Sequence, residues 1–89
     1  MKLKNGHKSI VTPPIGQLHS ALLVDDDISY PLLQIRPVEL DALTKKLRGV
    51  SAKPVCFAHF PDTDLMCFPT TADKDYEIRI AYYPPMVEA

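Results

Sequence analysis

Tryptophan is absent from this 89-residue chain, and glycine and cysteine are scarce, with three and two copies. Gly6, Gly16 and Gly49 stand far apart, so no glycine-rich phosphate-cradling loop is present. Two cysteines without a preceding secretory signal do not make a disulfide framework. The longest apolar run falls far short of a membrane span, and a net charge of -1 gives no general pull toward nucleic acid or a membrane. A soluble protein made in the cytosol, with neither membrane nor specific nucleic-acid partners, is the expectation.

What the chain does have is proline, nine copies. Each removes a backbone donor, so strands must be short, interrupted or at sheet edges. The 46% hydrophobic and 24% charged residues fit a folded chain rather than a disordered one. The length allows one domain with a thin core.

The last third carries the clearest pattern. Lys53-Pro54-Val55-Cys56-Phe57-Ala58-His59-Phe60, Leu65-Met66-Cys67-Phe68-Pro69-Thr70 and Asp75-Tyr76 through Tyr83 read as three consecutive strands. In the last, Tyr76, Ile78, Ile80 and Tyr82 share one face, and Glu77, Arg79, Ala81 and Tyr83 the other. Pro84-Pro85 then ends it. Upstream, Leu18–Val24 reads as a strand apolar on both faces, and Tyr30–Ile35 as a second, with Asp25-Asp26-Asp27 as the connecting loop. Pro37, Glu39 and Asp41 followed by Leu40, Leu43 and Leu47, then Lys45, Lys46, Arg48 and Gly49, predict a helix over about residues 37–48. It is too short to stand alone and must pack on the sheet. The expected fold is mainly β (α+β), a small antiparallel sheet or sandwich of about five to six short strands with one packed helix. Residues 1–17 are expected as an extended N-terminal arm and residues 18–89 as a single β-rich domain. Within the arm, Lys2, Lys4, His7 and Lys8 read as a solvated stretch or a first edge strand, or else as a basic contact to a neighbouring subunit or nucleic acid.

Chemistry-bearing clusters are few. Calcium loops alternate acidic ligands and use a glycine to turn, whereas Asp25, Asp26 and Asp27 are consecutive, which points to a solvated turn. A cation at a subunit interface is the other reading of that triplet. His59, Asp62 and Asp64 gather around one turn without a second imidazole or thiolate at ligand spacing. Cys56 and Cys67 read as small buried hydrophobes on paired strands. The cations ending the helix complement its dipole. Tyr82 and Tyr83 beside Pro84-Pro85 are the residue types of a protein–protein anchor, though core packing accounts for Tyr82 equally well. No catalytic, cofactor-binding or metal residue is predicted.

The order of the pieces, with Pro31-Leu32, Pro37 with Glu39-Leu40, Lys53-Pro54, Pro69 with Asp73 and Tyr76, and Tyr82-Tyr83, resembles the β-rich domain of head-to-tail adaptor proteins of tailed bacteriophages. These are the tubular connectors under the portal. The resemblance covers roughly residues 18–85 and resides in the order of short motifs. It implies a non-enzymatic structural virion subunit in a multimeric ring, made in the host cytoplasm, with copies of itself and portal or tail proteins as partners. Family members carry a substantial helical region that this chain does not match, so the resemblance fixes neither the ring copy number nor direct docking on the portal. Head-to-tail rings need two complementary patches. The expected ones are the basic arm with Lys2, Lys4 and Lys8, and the opposite end with Tyr83, Pro84, Pro85, Met86 and Val87. The alternative is a small cytosolic ligand- or partner-binding β module unrelated to virions.

Overall fold

A computed structural model describes residues 1–85. Its elements, in chain order, are β1 (Lys2–Leu3), β2 (Ser9–Val11), β3 (Gln17–Asp25), β4 (Ile28–Pro31), β5 (Leu33–Gln34), α1 (Pro37–Lys46), β6 (Cys56–Phe60), β7 (Leu65–Cys67) and β8 (Tyr76–Tyr83). They form two four-stranded sheets, ordered β1-β8-β3-β4 and β2-β7-β6-β5. Every pairing is antiparallel except β5 with β6. The fold is thus the predicted mainly-β domain with one packed helix. It holds more strands than expected because β1, β2 and β5 are fragments of two or three residues.

Period-two alternation builds the core. Ala21 and Leu23 of β3 stand beside Ile80 and Ile78 of β8, and Leu3 of β1 beside Tyr76. Ile10, Phe57, Met66 and Phe68 join them in one buried cluster. The opposite face of β3 is not buried as the sequence suggested. Leu22 and Val24 stand over Arg79 and Glu77 and are half-exposed, because among the described residues no further layer covers that side.

β6 is buried on both faces. Phe57 points into the cluster, whereas Cys56 and Ala58 have the opposite parity and are also buried. Helix α1 packs on β6, which accounts for that second burial. The helix starts at Pro37 as predicted, but it ends at Lys46, with Leu47 as its cap and Gly49 in the following turn at φ 79°. Of its apolar stripe only Leu40 is fully buried, while Leu43 and Leu47 are half-covered.

Residues 30–35, expected as one strand, divide between the sheets. Leu32 N–H still bonds Ala21 O at 3.0 Å, whereas Leu33 N–H turns to Val55 O at 3.1 Å and Ile35 N–H to Phe57 O at 2.8 Å. The crossing falls just after Pro31, which cannot donate to either ladder.

The expected N-terminal arm is two edge strands. Lys2 and Leu3 pair with Glu77 and Tyr76, and Ser9–Val11 pair with Leu65–Cys67. The physical cause lies in Leu3 and Ile10, apolar residues that a solvated arm would expose and that are here 0% and 7% exposed.

The Asp triplet makes the predicted loop. Asp25 and Ile28 close a two-residue hairpin in which Asp26 and Asp27 both have positive φ, 48° and 65°. That is the type I′ turn, which matches strand twist and favours glycine at its second position. Asp27→Gly is therefore expected to stabilise the domain by about 0.5–1 kcal/mol, read as a higher denaturation midpoint with unchanged slope.

Candidate functional site

The eight residues of β8 outrun the strand on their outer side. Met1 and Ile78 exchange backbone bonds, Met1 N to Ile78 O at 3.0 Å and Ile78 N to Met1 O at 2.7 Å. Ile78 therefore turns its N–H and C=O away from β3, and the period of two makes Ile80 and Tyr82 do the same. Glu77, Arg79 and Ala81 face Val24, Leu22 and Ser20 on the β3 side. Beyond Ile78 no strand among the described residues covers the outer edge. The backbone groups of Ile80 and Tyr82 thus form an open sheet edge.

That half of β8 also projects. Gln17, His19 and Ser20 on β3 and Ala81, Tyr82 and Tyr83 on β8 are all exposed, leaving a two-stranded ribbon with Tyr83 62% accessible. Two strands alone are marginally stable in water. The pairing shifts between Leu18 and Ser20, so His19 is the extra residue of a bulge, which adds local twist.

Gly16 holds the end of the ribbon. Its N–H bonds Tyr83 O at 2.8 Å, and a Cβ there would lie 2.5 Å from Pro84 O and 2.8 Å from Pro85 Cα. Pro84 and Pro85 are thereby drawn toward the β3 side. Along that edge lies a cleft of about 430 Å³, lined by Met1, Pro13, Ile78, Arg79, Ile80 and Tyr82.

The predicted contact residues fall into separate places. Lys2 and Lys4 are exposed on either side of buried Leu3, at the Tyr76 end of β8. Tyr83, Pro84 and Pro85 are exposed at the other end, about 24 Å away by strand rise. Lys8 lies instead beside Lys45 and Arg48, at a cleft of about 170 Å³ next to the end of α1. The helix carbonyls ending there account for Lys45 and Arg48 through the dipole. Met86 and Val87 lie outside the described residues.

At the loop end of the first sheet, Lys74 Nζ sits 2.7 Å from Asp25 Oδ1, and that bond raises the lysine pKa. Tyr76 O–H donates to Asp73 Oδ1. Burial, reinforced by that hydrogen bond, pushes the Tyr76 phenol far above its ordinary value. A raised folded pKa stabilises fully below the unfolded value near pH 10 and is lost as pH climbs past it. Unfolding free energy should accordingly fall above about pH 10, by up to about 1.4 kcal/mol per pH unit for this one group. Alkaline denaturation titrations should show Tyr76→Phe to be less sensitive there.

The remaining predicted clusters stay apart from any reactive arrangement. His59 is half-buried, and its Nε2 has no hydrogen-bond partner among the described residues. Asp64 spends its carbonyl on Thr12, accepting from N–H at 2.8 Å and from the hydroxyl at 3.3 Å. Among the described residues no three donors are grouped to hold a metal ion. Cys67 stands opposite Ala58, not Cys56, and both thiols are free. Burial raises the pKa of both, so neither is an activated thiolate.

No family model matches the chain, and no curated protein matches it. The open edge itself escaped the sequence reading. Its signal was the mismatch between an eight-residue alternating strand and the four apolar positions, Met1, Leu3, Ile10 and Val11, available in residues 1–11 to cover it.

Proposed function

We propose that the chain is a non-enzymatic structural subunit of a tailed-bacteriophage particle, placed at the head–tail junction and acting through protein–protein contacts in a multimeric ring. The observation that carries the reading is the projecting β8 ribbon with its open edge. Exposed edges are templates for another chain and are normally blunted. The motif order across residues 18–85 supplies the particle context, by resemblance. Lys2 and Lys4 at one end of β8 and Tyr83–Pro85 at the other supply two separated patches, as head-to-tail contacts need. A thin-cored domain gains stability from burying such surface against neighbours. Copies of the chain and portal or tail proteins are the partners, in the host cytoplasm before assembly and in the virion after it.

Particles assembled without this chain should accumulate as filled heads and separate tails, with joining restored by the full chain. Normally joined particles would overturn the reading. The cleft beside Ile80 favours a second reading, a small cytosolic ligand- or partner-binding β module unrelated to virions. Finding the chain in host lysate but never in purified particles would select it.

A further inference from the structure

We infer that two copies of the chain pair antiparallel along their open β8 edges, about a twofold axis through Ala81. The register follows by elimination. Each copy offers the N–H and C=O of Ile80 and Tyr82, and pairing must set outward-facing residues opposite one another. Centring on Ile80 would oppose Tyr82 to Ile78, whose groups are already bonded to Met1. Centring on Tyr82 would oppose Ile80 to Pro84, which has no N–H to give. Centring on Ala81 sets Ile80 opposite Tyr82 of the second copy twice over and uses the outward N–H and C=O of both. Pro84 of the second copy then falls opposite Ile78, where Met1 lies, and must leave the strand there, as its turn toward Gly16 lets it.

The side chains agree with that register. Tyr82 of the second copy would lie over Ile80, at the cleft bounded by Met1, Pro13 and Ile78. On the other face Arg79 would stand opposite Tyr83 of the second copy, a guanidinium against an exposed ring. No like charges oppose each other. The twofold pair also turns the marginal ribbon into the centre of a six-stranded run, β4-β3-β8 continued into its mate.

Other edges fit this role less well. In β4 the hairpin closes on Ile28, so Ser29 and Pro31 face outward, and Pro31 lacks a donor. The free edges of the second sheet are β2 and β5, of three and two residues. The inference does not depend on a place in a particle. A twofold pair is closed, so a ring would be built from such pairs or from copies released from them.

The test is disulfide trapping in the full chain. Ala81 is exposed, and at the axis the two Ala81 Cα atoms would stand about 4.5 Å apart, within disulfide reach. The two Arg79 positions would lie about 14 Å apart, out of reach. Under mild oxidation Ala81→Cys should run at twice the chain mass in denaturing, non-reducing gels. Arg79→Cys and the wild-type chain should stay at the chain mass. Adding Tyr82→Pro to Ala81→Cys should abolish the trapped species, with circular dichroism checking that the fold persists. If neither variant cross-links above the wild-type chain, the pairing is wrong. If both exceed the wild-type chain and Arg79→Cys cross-links as fast as Ala81→Cys, the register is wrong.

Discussion

Deleting residues 1–9 should unfold the domain rather than release an arm. The deletion removes Leu3, whose 0% exposure places it in the core, a loss of about 1.5–3 kcal/mol for a large aliphatic side chain. It also strips the acceptors of three backbone donors, since Ile78, Phe68 and Ala72 give their N–H groups to Met1, Lys8 and His7. Each unpaired donor costs about 1–3 kcal/mol where water cannot replace the partner. The sum reaches the whole stability of a small domain, about 5 kcal/mol at the low end. Far-ultraviolet circular dichroism of the truncated chain should show no cooperative melt. A transition within a few degrees of the full chain would restore the view of residues 1–9 as an independent arm.

Phe57→Ala should be the most damaging single substitution tested in β6. Phe57 is 1% exposed and belongs to the buried cluster that also holds Leu32, Met66 and Phe68. Removing its ring forfeits transfer free energy and leaves a cavity that a sheet sandwich closes only partly, about 3–5 kcal/mol together. Val55, two residues earlier on the same parity, is 67% exposed, and Val55→Ala should change stability by less than about 0.5 kcal/mol. Denaturant unfolding of the two variants separates these expectations. Equal losses would mean that the sandwich interior is not where the structure places it.

The contrast between those two residues shows what was legible in the sequence. Alternation alone finds the strand from Cys56 to Phe60 and the long strand from Tyr76 to Tyr83, and the Asp triplet marks its own hairpin. Alternation does not say which parity faces the core when both faces are apolar. For β6 a helix supplies a second cover, and for β3 nothing among the described residues does, so similar patterns gave opposite outcomes. Residues 1–11 were legible only as polar with scattered aliphatics. Leu3 and Ile10 become strand residues because β8 and β7 offer them partners more than fifty positions away. Such pairing is non-local and leaves little local signal.

The site was half legible. Tyr82, Tyr83 and the following prolines stand out by composition, and the structure exposes Tyr82, Tyr83, Pro84 and Pro85 together. The open edge beside them depends on how far β1 reaches, a matter of two residues against eight. It depends equally on Gly16, whose missing side chain lets Pro84 and Pro85 lie toward β3 instead of across the edge. Neither property belongs to the residues of the site itself. A surface made by what fails to cover a strand is read only from the strand's neighbours.

Amide hydrogen exchange, resolved residue by residue in the full chain, tests the edge most directly. In dilute solution Ile80 and Tyr82 should exchange rapidly, while Arg79 and Ala81, bonded to β3, stay protected. On concentrating the chain, Ile80 and Tyr82 should gain protection together as a second copy covers them. Protection of those two amides at every dilution would mean that the edge is already closed within one chain. Rapid exchange at every concentration would mean that no second copy binds there.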